Sequence, residues 1–315
     1  MTTFLPTTPL GWTGMHLTRV GFGAWAIGGG GWAHAWGDQN DTESIAAIRH
    51  AVESGINWID TAAVYGLGHS EEVVAAALAD LPEADRPYIF TKGGQVWNPA
   101  DRAAEPRRVG DPASLRAEVE ASLRRLNVER IDLYQMHWPA QDGTPVEEYW
   151  QVFTDLKRDG KIRAAGLSNH GIFQLEAAEE IGNVDAIQPP FNLIHRDAAD
   201  DVLLWAREHE TGVIVYSPMA SGLLTGAFTA QRAASLPAGG LAGQPPRLRR
   251  AGPVGQPGPG RCPAPGRRTA RRHPRRRGRR LDALVPRRDR GHRGRPPTRS
   301  GRRLVARSDP GAQGR

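Results

Sequence analysis

Between residues 18 and 217, seven short apolar runs alternate with six amphipathic segments. This alternation restricts the chain to folds in which helices cover a parallel sheet. The runs are 18–25 (TRVGFGAW), 57–61 (NWIDT), 88–92 (YIFTK), 131–137 (IDLYQMH), 162–168 (IRAAGLS), 185–188 (DAIQ) and 212–217 (GVIVYS). They are nearly continuous apolar stretches, as expected of strands covered by helices. The segments 41–53, 69–79, 111–126, 146–158, 172–181 and 198–209 carry helical periodicity. Several have end signals. Asp41 is expected to cap the first, with Gly55 just past its end. Glu71 and Glu72 sit where the second helix has its positive end. Asp111 is expected to cap the third, with Pro112 at its first position, and Gly160 ends the fourth. The stretch 9–17 (PLGWTGMHL) reads as a short hairpin closing the bottom of a barrel.

Periodicity alone does not separate a closed barrel from a doubly wound sheet. The Gly28–Gly31 run is not a G-x-G-x-x-G turn after a first strand, so it gives no support to the latter. A closed eight-stranded barrel needs one more strand and two more helices after residue 226.

Composition changes abruptly near residue 240. Of 41 basic and 34 acidic residues, 23 Arg and 3 Asp lie from Leu241 onward, leaving 18 and 31 before it. The body therefore carries −13 and the tail +20, although the whole chain is only +7. No Phe, Trp or Tyr follows Phe228. With so little apolar surface to offset chain entropy, residues 239–315 are expected to be a disordered Arg/Pro/Gly-rich tail following a body at 1–238. The lone cysteine, Cys262, excludes a disulfide within the chain. The first residues lack the basic and apolar regions of a leader, and no run of about 18 apolar residues occurs. A cytoplasmic protein with no membrane partner is expected.

Polar residues stand at or just past the ends of three consecutive runs: Asp60 and Tyr65 after the second, Lys92 at the third, His137 at the fourth. In a barrel these strand ends converge on one face. Buried Asp, Lys and His together are costly unless they satisfy one another. A phenol titrates near about 10. A nearby ammonium is expected to lower that value, and a carboxylate holds the ammonium charged. The histidine can orient a carbonyl by a hydrogen bond. The phenol then acts as general acid while a hydride reaches the carbonyl carbon.

The motifs WIDTAAVYG (58–66), FTKGG (90–94) and QMHWP (135–139) resemble the aldo-keto reductase family. The resemblance runs from about residue 17 to about residue 237 and implies a (β/α)8 TIM-type barrel, here incomplete with about seven strands recognisable. It places Asp60, Tyr65, Lys92 and His137 on the family's catalytic tetrad. It places Ser168, Asn169 and Gln188 at the nicotinamide carboxamide and Tyr216 beneath the nicotinamide ring. Ser217, Met219, Ser221 and Gly222 fall in the loop that contacts the pyrophosphate. Bland readings stand beside these: Ser168–Asn169 as a helix cap, Gly222 and Gly226 as turn formers. Trp25, Trp97 and Trp138 are expected either to wall the substrate pocket or to pack in the core. His170 and His195 are expected at the surface or in loops.

The resemblance implies NADPH as cofactor, a small aldehyde or ketone as substrate, and no metal. The family's residues that grip the adenosine 2′-phosphate follow its eighth strand and are not recognisable here, so NADH is also possible. A non-catalytic cofactor- or partner-binding relative and an inactive truncated product are the alternatives. Nucleic-acid binding through the tail is disfavoured, because the tail lacks aromatic residues for base stacking, lysine and any binding module.

A reading-frame slip in GC-rich DNA explains the tail better, since shifted codons there yield Arg, Pro, Gly and Ala. Residues 281–300 can be decoded one base out of frame as WTPWFPGVTGAIVGARRPGR, which resembles the family's eighth strand and the loop after it. The chain as written is accordingly expected to be unstable or poorly active, with two bare sheet edges. Resequencing the gene across codons 230–245 checks the slip: a missing or extra base supports it, and an intact frame refutes it.

Overall fold

A computed structural model describes residues 5–229 and residue 231. The chain enters through an antiparallel hairpin, β1 (Thr7–Pro9) paired with β2 (His16–Thr18), where the sequence anticipates one. Its turn lies against the start of the last strand, because a Cβ on Gly11 would stand 2.6 Å from the Gly212 nitrogen.

The parallel strands are β3 (Phe22–Gly23), β4 (Trp58–Asp60), β5 (Tyr88–Gly93), β8 (Ile131–Met136), β9 (Ile162–Ser168), β10 (Ala186–Gln188) and β11 (Gly212–Val213). They lie side by side in that order. Between β5 and the next helix runs a small antiparallel ribbon, β6 (Gln95–Val96) and β7 (Arg107–Arg108). Helices α1 (Asp41–Glu53), α2 (His69–Leu78), α3 (Pro112–Leu126), α4 (Val146–Arg158), α5 (Ile172–Glu179) and α6 (Val202–Glu208) occupy the crossovers. The result is a curled seven-stranded half-barrel of (β/α)8 type. Among the described residues no eighth strand joins β3 to β11. The tail expected at 239–315 lies outside the described residues. No described helix is long and apolar enough to cross a membrane.

Strand residues alternate between two cores. Ile59, Ile89, Tyr134, Met136, Ala165, Leu167 and Ile187 pack with the helices. Phe90, Leu133, Ala164, Ala186 and Ile214 pack instead with Leu10, Met15 and Leu17 of the hairpin. Because strand side chains alternate with a period of two, Lys92, Gln135, Ser168 and Gln188 share the inner face with that second cluster. The hairpin thus plugs the start of the strands with apolar side chains, and the polar residues are left for their far ends.

Several element ends differ from expectation for physical reasons. Thr18 belongs to the hairpin, so the first parallel strand shrinks to Phe22–Gly23. The seventh stops at Val213, and Tyr216 keeps only an isolated bridge to Pro190. Its neighbour's exit is Pro189–Pro190, which offers no N–H groups to the ladder. The sixth helix is split into a 3-10 turn (Asp197–Asp200) and α6 by Asp201, whose carboxylate accepts from the Val202 N–H. The cap of α1 is Asn40, not Asp41: its Oδ1 accepts from Glu43 N at 3.2 Å.

Helix α2 anchors the strand ends from outside. Ser70 Oγ donates to Ala24 O (2.8 Å) and lies 2.9 Å from Thr61 Oγ1. Glu71 is fully buried, accepting from Thr91 Oγ1 (2.6 Å) and from Arg125 Nε (2.6 Å). Sequence reasoning treats Glu71 only as a dipole partner. Removing one member of a buried ion pair leaves the other uncompensated. Arg125→Ala is therefore expected to destabilise the body by about 3–5 kcal/mol, read as a lower urea midpoint; a change within about 0.5 kcal/mol, typical of a surface site, would show that Glu71 needs no countercharge.

Candidate active site

Lys92 is 1% exposed at the end of β5. Its ammonium finds three acceptors: Asp60 Oδ1 at 2.9 Å, Asp60 Oδ2 at 2.8 Å and the Thr61 carbonyl at 2.8 Å. Gln135 Nε2, across the sheet from Lys92, lies 3.5 Å from Asp60 Oδ1. The Lys92 nitrogen sits 5.3 Å from the centroid of the Tyr65 ring. The Tyr65 ring meets His137 edge-on, with centroids 5.6 Å apart. The four candidate residues of the tetrad thus meet at the C-terminal mouth of the strands.

Tyr65 is held by an unusual turn. Gly66 has φ +64°, and a Cβ there would lie 2.2 Å from the Gly28 carbonyl oxygen. Only glycine permits this close approach, which ties the loop after β3 to the tyrosine. An open cavity of about 710 Å³, whose lining includes Gly28, Asp38, Asp41, His69 and Arg102, adjoins this contact. None of the four tetrad residues lines it.

The electrostatics correct one expectation. Burial, and then the negative charge of Asp60, hold the Tyr65 phenol well above its ordinary value of 10.0. The net direction is upward although an ammonium is near, and both Asp60 oxygens grip that ammonium. His137 moves the other way: burial, then the charges of Lys92, Arg108 and His34, hold it well below 6.5. Its Nδ1 is buried without a hydrogen-bond partner. The site therefore holds a protonated phenol beside a neutral imidazole.

Aromatic residues surround the phenol. Trp25 stacks on Tyr65 with centroids 6.1 Å apart, and Trp32 lies at 6.4 Å. Trp97 packs on the same cluster, and Trp36 meets Trp25 edge-on. Trp138 lies instead under Arg108. Sequence reasoning missed Trp32 and Trp36; their signal was the aromatic spacing in GGGGWAHAW after the first strand.

The candidate cofactor residues also converge, at the ends of β9 to β11. Ser168 Oγ donates to Gln188 O (3.0 Å). Asn169, with φ +64°, donates through Nδ2 to His137 O and to Ser168 Oγ, both 3.0 Å, and accepts from Tyr216 OH at 2.8 Å. Neither residue caps α5, whose cap is Gly171 backed by Gln174. Ser217, Ala220, Ser221 and Gly222 all have positive φ, and Met219 between them is 57% exposed. Asn192, which sequence reasoning did not single out, donates to Ser217 O at 3.0 Å.

The sequence profile of the Aldo/keto reductase family matches residues 19–237. The chain belongs to that family. It is 39% identical to aldo-keto reductase YhdN of Bacillus subtilis over 219 residues, 69% of this chain and 63% of the relative. It thus spans less than two thirds of that relative's length. It is also 39% identical to the NADH-specific methylglyoxal reductase of Escherichia coli, over 70% of this chain and 69% of that one. Among solved structures it resembles the glycerol dehydrogenase AKR11B4 from Gluconobacter oxydans, with TM-score 0.69 and 40% identity over 78% of this chain and 72% of that one.

His170 lies in a loop, as one of its two expected places, but it is buried there, whereas His195 is exposed. Its Nδ1 donates to Ser168 O at 2.8 Å, so Nε2 accepts from Tyr149 OH at 2.7 Å. Burial pushes its pKa down from 6.5 to about 4. Below pH 6.5 the unfolded chain takes the proton first, so this group's contribution to stability is lost as pH falls from about 6.5 to about 4. His170→Phe is expected to flatten the decline of the urea midpoint over that range, leaving the share of His137. An unchanged slope would show that His170 is not the titrating group.

Proposed function

We propose that this chain reduces small aldehydes or ketones, or oxidises the alcohols in reverse, in the cytoplasm, with Tyr65 as the proton donor. The observation that carries this reading is the Lys92–Asp60 pair set 5.3 Å from the Tyr65 ring, which itself meets His137 edge-on. The carbonyl oxygen would sit between the phenol and the imidazole. Neutral His137 directs it by a hydrogen bond without surrendering charge. As the carbon is reduced, its oxygen becomes an alkoxide, a far stronger base than a phenolate. A phenol of raised pKa is therefore still able to donate, and it stays loaded across the neutral range. Lys92 then balances the phenolate left behind, while Asp60 keeps the lysine charged and aimed. Trp25 and Trp32 shield the proton transfer from water.

The residues fit a nicotinamide cofactor. Tyr216 is braced by Asn169 as a flat support, and Ser168, Asn169 and Gln188 offer amide and hydroxyl groups to a carboxamide. The positive-φ turn at 220–222, with Ser217 and Met219 beside it, is where the cofactor's pyrophosphate would lie. When bound, the cofactor supplies the hydride. NADPH is the proposed donor, with NADH as the second reading because one relative is NADH-specific.

Tyr65→Phe tests the assignment. Carbonyl reduction should fall about 10²- to 10⁴-fold, while quenching of protein fluorescence by NADPH persists at similar affinity. Reduction by the variant at wild-type rate would remove Tyr65 as the acid, and loss of cofactor binding would point to a merely structural role.

A further inference from the structure

We propose that Arg108 is a specificity-determining residue, and that the site favours small aldehydes carrying a carboxylate a few atoms from the carbonyl. The inference rests on the reductase reading and names its substrate class.

Arg108 lies on β7, directly opposite Gln95, three residues beyond Lys92. Its guanidinium carbon is 4.3 Å from the centroid of Trp138, the neighbour of His137 in sequence. Its backbone is fixed by Gln141, whose N–H donates to Arg108 O at 2.9 Å. Among the described residues no carboxylate forms an ion pair with it, although the residue is only partly exposed. A half-buried arginine without a countercharge is costly to hold. Stacking on an indole compensates one face and leaves the N–H edge free. That edge matches a carboxylate bidentately. After burial and the charge of Lys92, the charge of Arg108 is also felt at the His137 imidazole. Arg108 is thus a cation without a carboxylate partner near the reacting groups, while Trp25, Trp32 and Trp97 supply apolar walls around Tyr65. A short aldehyde with an anionic end uses both features; a neutral one leaves the guanidinium unpaired.

The test compares 4-oxobutanoate with butanal, which match in length and differ in charge. With NADPH, wild type should show the higher kcat/KM on 4-oxobutanoate, expressed mainly in KM. In Arg108→Gln that ratio should collapse about tenfold or more, as expected for loss of a charge-assisted bidentate contact, and Arg108→Lys should recover part of it. An equal ratio in wild type and Arg108→Gln overturns the assignment. If neither compound is turned over, the reductase reading fails on its own. Calorimetric titration of 4-oxobutanoate then decides the Arg108 question: weaker binding to Arg108→Gln supports the site, and equal affinity or no binding to wild type overturns it.

Discussion

An ammonium withdrawn from water needs an acceptor for each of its three protons, and Lys92 finds all three at the end of one neighbouring strand. This requirement fixes more than a charge. It locks the exit of β4 to that of β5 and sets where the chain turns toward Tyr65. The same demand explains why Thr61 cannot leave the strand end: its carbonyl is one acceptor, and its hydroxyl is tied through Ser70 to the exit of β3. Three successive strand ends are thereby held in one arrangement. Losing the carboxylate alone would strand a buried cation, which costs more than losing both partners.

The half-barrel divides labour along its axis. On the inner face, hydrophobic burial lies at the lower end, where the hairpin residues Leu10, Met15 and Leu17 close on Phe90, Leu133 and Ile214. The buried polar side chains of the inner face lie at the upper end, where Lys92, Ser168 and Asn169 find partners on adjacent strand ends. Asn169 shows how tightly this is drawn: it joins the ends of β8 and β9 to Tyr216 through a single amide. At the flanks, β3 and β11 pair on one side only among the described residues, and Val213 and Val215 are exposed. Such edges are where a sheet is most open to wrong pairing.

What could be read from the sequence follows from how local each signal is. Helix α3 is as anticipated because Asp111 and Pro112 define its start within two residues. Strands β5, β8 and β9 are long apolar runs, so their periodicity survives. The short outer strands were overestimated, since their pairing depends on partners such as Pro189–Pro190 that local pattern ignores. The four tetrad residues were legible because each stands at a strand end. The burial of His170 was not, because it depends on Tyr149 from a different helix. Nor was the direction of the Tyr65 shift: spacing brings an ammonium near a phenol, but only three-dimensional contact shows the ammonium already claimed by Asp60.

That misjudged direction sharpens the chemistry. Two ionisable groups facing one small volume have been driven apart, the phenol upward and the imidazole downward. Such divergence separates the roles of acid and orienting group. At neutral pH only the phenol has a proton whose transfer leaves an anion beside Lys92. A buried imidazole kept neutral can direct a carbonyl oxygen, whereas a second proton on it would have to be held away from water and near the Lys92 and Arg108 charges. Burial disfavours imidazolium most, and the charges of Lys92 and Arg108 add to it.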